Sequence, residues 1–137
     1  MFRLALSLWL VVLLLSGCGG GGTLTKRDLQ KQLEAVQSFA AEGALVADGA
    51  ADERTTDIFV RVHTLYLGDG IKKVREQASA GHASGDLEQK RDTAIELASG
   101  VERQLERLHE SPGDRDVARD VEAQLQRYAT RAEHEAK

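Results

Sequence analysis

The chain has 137 residues, one cysteine, four histidines and a formal net charge of −4, with 22 acidic side chains against 18 basic ones. That length suits one domain, and a lone cysteine excludes an internal disulfide, so stability rests on the core. The signs of charge are interspersed, as in the stretch ERQLERLHE, which leaves no basic footprint for nucleic acid.

Met1-Phe2-Arg3 opens the chain with a positive charge, Leu4 to Leu15 is an apolar run of twelve residues, and Ser16-Gly17-Cys18 supplies small residues after it. This is the order of a secretory signal peptide, and the run is too short to span a bilayer. Leu15-Ser16-Gly17-Cys18 resembles the lipobox of bacterial lipoproteins. The resemblance implies that residues 1–17 are removed, that Cys18 becomes the new N-terminus, and that it carries a diacylglycerol thioether and often an amide-linked acyl chain such as palmitate. It further implies a protein lipid-anchored to the cell membrane or the outer membrane, facing the periplasm or the cell exterior. Two or more long chains give stable anchoring where one binds reversibly. Gly19 is not the aspartate that the family associates with inner-membrane retention. Loss of residues 1–17 takes Arg3 with it and leaves 17 basic against 22 acidic side chains. Residues 18–24 then read as the lipidated cysteine and a glycine-rich tether. As flexible coil, Gly19 to Leu24 would span on the order of 13 Å, which keeps the folded domain, residues 25–137, close to its membrane.

Helical periodicity runs through that domain. Leu29, Leu33, Val36, Ala40, Ala44 and Ala47 recur at steps of three or four, the period of one helical face. This predicts a first helix over about 26–48, with Thr25 as its cap, Asp28 in the first turn and Leu24 stapled to Leu29. After GAADERTT, the residues Val60, Leu67, Ile71, Val74 and Ala78 predict a second helix over 56–79, with Ile58, Val62 and Leu65 expected to widen its apolar stripe. Gly68-Asp69-Gly70 interrupts it, but the spacing of Leu67, Ile71, Val74 and Ala78 is kept across the glycines, as one continuous helix requires. Each glycine weakens it by roughly 1 kcal/mol. SAGHASG reads as a loop, and Asp86 with Gln89 as a capping pair for a third helix over 87–109 that turns Leu87, Ala94, Leu97, Ala98, Val101, Leu105 and Leu108 to one side. Ser111 as cap and Pro112 at the first helical position predict a fourth helix over 112–132, whose stripe is Val117, Val121, Leu125, Tyr128 and Ala132.

Four amphipathic helices on short connections predict an all-α fold, an antiparallel up-down four-helix bundle. A long helical hairpin that completes its core as a dimer is the alternative. Arg27-Asp28-Leu29-x-x-Gln32-Leu33 recurs as Arg119-Asp120-Val121-x-x-Gln124-Leu125, which the few residue types of charged amphipathic helices explain without a duplication.

Bundles can hold di-metal sites when two helices each supply Glu-x-x-His. Glu106-x-x-His109 is such a pair, but Val60 stands where a second glutamate before His63 would be, and the surface reading is favoured. In DIFVRVHTLYL, the groups Asp57, Arg61, His63 and Tyr66 interrupt an apolar stretch. His63 falls beside the core stripe, and Asp57 with Arg61 has the spacing of an ion pair one helical turn apart. The chain has no Cys-x-x-Cys-His for covalent haem, no glycine-flanked serine nucleophile and no phosphate loop. No catalytic constellation and no cofactor emerge. The sequence therefore leads to a membrane-anchored, non-enzymatic helical interaction or structural module of the cell envelope. Its expected partner is a membrane-proximal envelope protein or another copy of the chain. The second reading is a metal-ion or small-ligand binding lipoprotein with a site between helices around His63 and Tyr66, drawing on Glu106 and His109.

Overall fold

The structure is a computed structural model that describes residues 21–137; the expected signal segment 1–17 and Cys18 lie outside the described residues. Four helices follow one another: α1 (Lys26–Ala51), α2 (Asp57–Ala80), α3 (Asp86–Glu110) and α4 (Arg115–Ala136). The fold is an all-α four-helix bundle, in which α1 packs chiefly on α4 and α2 on α3, while α1 also touches α2 and α3. The connections are short and the chain reverses at each. α1 runs about 39 Å at 1.5 Å per residue, so one end gathers the N-terminus of α1 with the α2–α3 loop, and the other gathers the α1–α2 and α3–α4 turns.

Local chemistry sets where each helix begins. Thr25 and Asp28 form a reciprocal capping box: the Thr25 hydroxyl accepts from the Asp28 amide at 3.2 Å, and Asp28 Oδ2 accepts from the Thr25 amide at 2.9 Å. The Leu24 side chain lies against Gly81, where a Cβ would stand 2.6 Å from Leu24 Cδ1. α3 departs from expectation. Its N-cap is Gly85, with a positive φ of 59° and no side-chain cap, and Asp86 falls inside the first turn. α4 begins at Arg115 rather than at Pro112. Ser111 instead ends α3, and the Asp114 amide donates to the Ser111 carbonyl at 3.2 Å, closing a turn around Pro112-Gly113. Asp114 then caps α4, its Oδ1 accepting from the amides of Asp116 and Val117 at 3.0 and 3.1 Å. A Pro-Gly pair suits the centre of a turn better than a first helical turn, and aspartate is as good a cap as serine.

The core is built from the predicted stripes, except that Leu87 is half-buried and stays outside it and Val117 and Tyr128 pack on its edge. Leu29, Leu33, Leu67, Ile71, Leu97 and Leu125 are among the side chains fully withdrawn from water. α2 is continuous through Gly68-Asp69-Gly70. Gly70 is where the Phe39 ring of α1 lies against α2, since a Cβ there would stand 2.5 Å from Phe39 Cζ. Gly100 makes the same allowance on α3 for Tyr128 of α4, whose Cζ lies 2.5 Å from the corresponding position. Polar ties fasten the rims: Arg75 Nε donates to Glu102 at 2.8 Å between α2 and α3, and Arg107 and Arg131 reach Asp120 and Glu96 at 2.8 and 3.0 Å between α3 and α4.

The last residues of the expected tether are not free coil. The Leu24 amide donates to the His82 carbonyl at 2.7 Å and the His82 amide to the Gly22 carbonyl at 3.1 Å, a short parallel bridge between the entering chain and the α2–α3 loop. Gly21 also lies against the Ala80 carbonyl, so the chain enters the bundle beside the C-terminus of α2. Among the described residues no helix is long and apolar enough to cross a membrane.

Candidate functional site

α2 carries apolar side chains on two opposite faces. Val60, Leu67, Ile71 and Val74 point into the core, each 8% exposed or less. Ile58, Val62 and Leu65, expected to widen that stripe, point away from it: Ile58 is 75% exposed, Val62 59%, Leu65 60%, and beside them Tyr66 is 69% and Phe59 41% exposed. Successive helical residues turn by about 100°, so Val62 lies about 200° round from Val60 and its side chain must face outward when Val60 faces in. The five outward residues form an apolar ridge over the first half of α2. Beyond it the same face turns charged, through Asp69, Lys72, Lys73 and Glu76, all exposed.

The polar residues of this stretch make other contacts than expected. The Asp57–Arg61 ion pair is not formed. Arg61 Nη1 instead donates to the His109 carbonyl at 3.0 Å, in the last turn of α3, where carbonyls lack helical partners and the dipole is negative. Asp57 lies against the α3–α4 turn, with its Oδ2 3.3 Å from where a Cβ of Gly113 would stand. His63 is half-buried at the flank of the ridge; its ring stacks on Phe59 with centroids 3.9 Å apart, and its Nδ1 donates to the Phe59 carbonyl at 3.2 Å. Tyr66 stands in solvent.

His109 belongs to a separate polar contact. Thr64, buried on α2, donates to the Val60 carbonyl at 2.8 Å, and its hydroxyl lies 3.1 Å from His109 Nδ1, which is also 3.1 Å from the Arg61 carbonyl. With the Thr64 proton given to Val60, both neighbours of His109 Nδ1 are acceptors, which assigns the proton to that nitrogen. Glu106 is exposed and shares with His109 an open groove of about 240 Å³ between α2 and α3, with Asp69, Lys72 and Glu102 along it. The structure thus brings Glu106 and His109 to one groove and leaves His63 and Tyr66 with the ridge. Among the described residues no three His, Cys, Asp or Glu side chains gather as a metal site would need. Cys18, the expected lipidation site, lies outside the described residues.

Phe59 and Thr64 were not singled out by sequence. Phe59 could have been found from the density of apolar residues between Ile58 and Leu67, which is more than one helical face can hold. Thr64 could not, because its partner is 45 residues away. No family model, no curated protein and no solved structure matches the chain.

Proposed function

We propose that this protein is a lipid-anchored lipoprotein of the bacterial cell envelope whose bundle acts as a non-enzymatic interaction module, and that the ridge of α2 is its contact surface. One observation carries the reading: Ile58, Phe59, Val62, Leu65 and Tyr66 form a contiguous apolar face pointing into solvent. Large apolar patches rimmed by polar residues mark contact sites on soluble domains. The composition also fits, because aromatic residues are enriched where proteins meet. The anchor rests on the resemblance of Leu15-Ser16-Gly17-Cys18 to a lipobox, and the clamp of Gly22 and Leu24 on His82 adds its geometry. Three residue steps separate Cys18 from Gly21, which lies against Ala80, so a lipidated Cys18 would hold the C-terminal end of α2 within about 11 Å of the membrane at 3.3–3.6 Å per residue. Val62 then lies 18 residues along α2 from Ala80, about 27 Å from that end.

The second reading, a metal ion or small ligand held between helices around His63, has no such observation behind it: His63 and Tyr66 stand with the ridge, while Glu106 and His109 share a separate groove.

The test is photo-crosslinking in the native envelope from a benzophenone side chain at position 66, combined with membrane fractionation of a Cys18→Ala variant. Protein adducts at position 66 and release of the variant from the membrane are expected. A fraction that stays bound without Cys18 would remove the anchor, and an absence of protein adducts would remove the interaction module.

A further inference from the structure

We propose that the partner of the α2 ridge is a second copy of this chain, packed α2 against α2 in antiparallel fashion across a two-fold axis at Val62. This rests on the reading of the ridge as a contact surface and adds its occupant.

Size is the first argument. At exposures of 41 to 75%, the five side chains leave on the order of 600 Å² of apolar surface open, at the upper end of what a monomer keeps uncovered. Two copies set face to face remove on the order of 1,200 Å², the lower edge of what a specific, stable association needs. A two-fold contact requires the same patch on both partners, and the ridge is symmetric about its middle. With Val62 at the axis, Ile58 meets Tyr66 of the other copy and Phe59 meets its Leu65, so each bulky group faces another.

Charge selects the direction. Asp69 lies seven residues beyond Val62, and Lys72 and Lys73 lie ten and eleven beyond; Thr56, the N-cap of α2, lies six before it and Asp57 five before it. Antiparallel pairing sets Asp69 of each copy near the N-terminal end of the other's α2, where the dipole is positive, and keeps the lysines of the two copies at opposite ends. Asp52 and Glu53 in the preceding turn take no part, being paired already with Arg54 and Arg115 at 3.5 Å. Parallel pairing would stack Asp69 on Asp69 and the lysines on their own copies, which like charges disfavour. A lipid surface fits this face less well, because Asp69 and Glu76 cancel Lys72 and Lys73 on it and nothing is gained from acidic headgroups. In the antiparallel pair the two N-terminal clamps sit at opposite ends, so anchored copies would lie along the membrane plane.

The experiment uses the full chain carrying Cys18→Ser, in mild detergent, with single cysteines introduced by Val62→Cys, Ile58→Cys or Tyr66→Cys and then oxidised. Val62→Cys is expected to give a disulfide-linked dimer by itself. Ile58→Cys mixed with Tyr66→Cys should give at least tenfold more dimer than either gives alone. Light scattering of the Cys18→Ser chain should report twice the mass of one copy, and Val62→Lys should lower the dimer affinity at least tenfold with an unchanged helical spectrum. Equal cross-linking of Ile58→Cys alone and in the mixture would show a parallel pair and overturn the proposal. A monomeric mass with no Val62→Cys dimer would also overturn it. In that case, adducts from position 66 to a different protein in the envelope would leave the interaction reading standing. Adducts to lipid alone would make the ridge a membrane-facing surface, and both readings would fall.

Discussion

Gly68 and Gly70 lie two residues apart in one helix, and replacing each by alanine should separate two effects that glycine combines. Both substitutions remove backbone freedom from a helical position, a gain of about 1 kcal/mol that is nearly the same at the two sites. They differ in what the new methyl group meets. At position 68 nothing lies within 4 Å of the added Cβ, whereas at position 70 it would stand 2.5 Å from Phe39 Cζ and close to Cε1. The Phe39 ring must move away by roughly 1 Å to restore ordinary contact, and overpacking of this kind costs about 1–3 kcal/mol. Gly68→Ala should therefore stabilise the bundle by about 1 kcal/mol, and Gly70→Ala should be less stable than Gly68→Ala by about 1–3 kcal/mol. Urea unfolding of the three proteins measures this directly, because the difference between the variants cancels the common helix-propensity gain. Pairing Gly70→Ala with Phe39→Leu should recover part of the loss as a favourable coupling, since the two positions touch. Equal stabilisation by the two alanines would refute the seating of Phe39 on Gly70, and with it the register of α1 against α2.

Two further outcomes are expected. Leu67→Ala should destabilise the bundle by about 2–5 kcal/mol and Leu65→Ala by about 0.5 kcal/mol or less in dilute protein. The reason is that Leu67 is fully buried while Leu65 is 60% exposed; a reversed order in thermal unfolding would mean that α2 turns its other face to the core. The hydrogen bonds from Thr25 hold the Asp28 carboxyl below its ordinary value. A group whose pKa is depressed by folding contributes stability above the unfolded value, and that contribution is lost as pH falls through the folded value. The stability gap between the parent and Asp28→Asn should accordingly be present at neutral pH and narrow as pH is lowered through the carboxylate range. A gap that stays constant in acid would refute the capping role of the charged form.

The sequence by itself determined that this chain is helical, roughly where its helices lie, and that their stripes need one another. Those properties follow from a 3.6-residue period and from caps such as Thr25 with Asp28, whose partners sit within one turn. It also made α2 continuous, because the core spacing from Leu67 to Ala78 runs unbroken through two glycines. Contacts between helices were not legible, because they join residues far apart in the chain. Arg61 is drawn from Asp57 to the His109 carbonyl 48 residues away, and the Thr64 hydroxyl meets His109 45 residues away. The outward turn of Ile58, Val62 and Leu65 on α2 belongs to the same class. The period marked Val60, Leu67, Ile71, Val74 and Ala78 as the core stripe, but Val60 and Val62 are equally apolar and nothing in their types says how wide that stripe is. Only packing against α3 and α1 decided that the core closes on Val60, Leu67 and Ile71 and leaves Ile58, Val62, Leu65 and Tyr66 outside as a surface available to a partner.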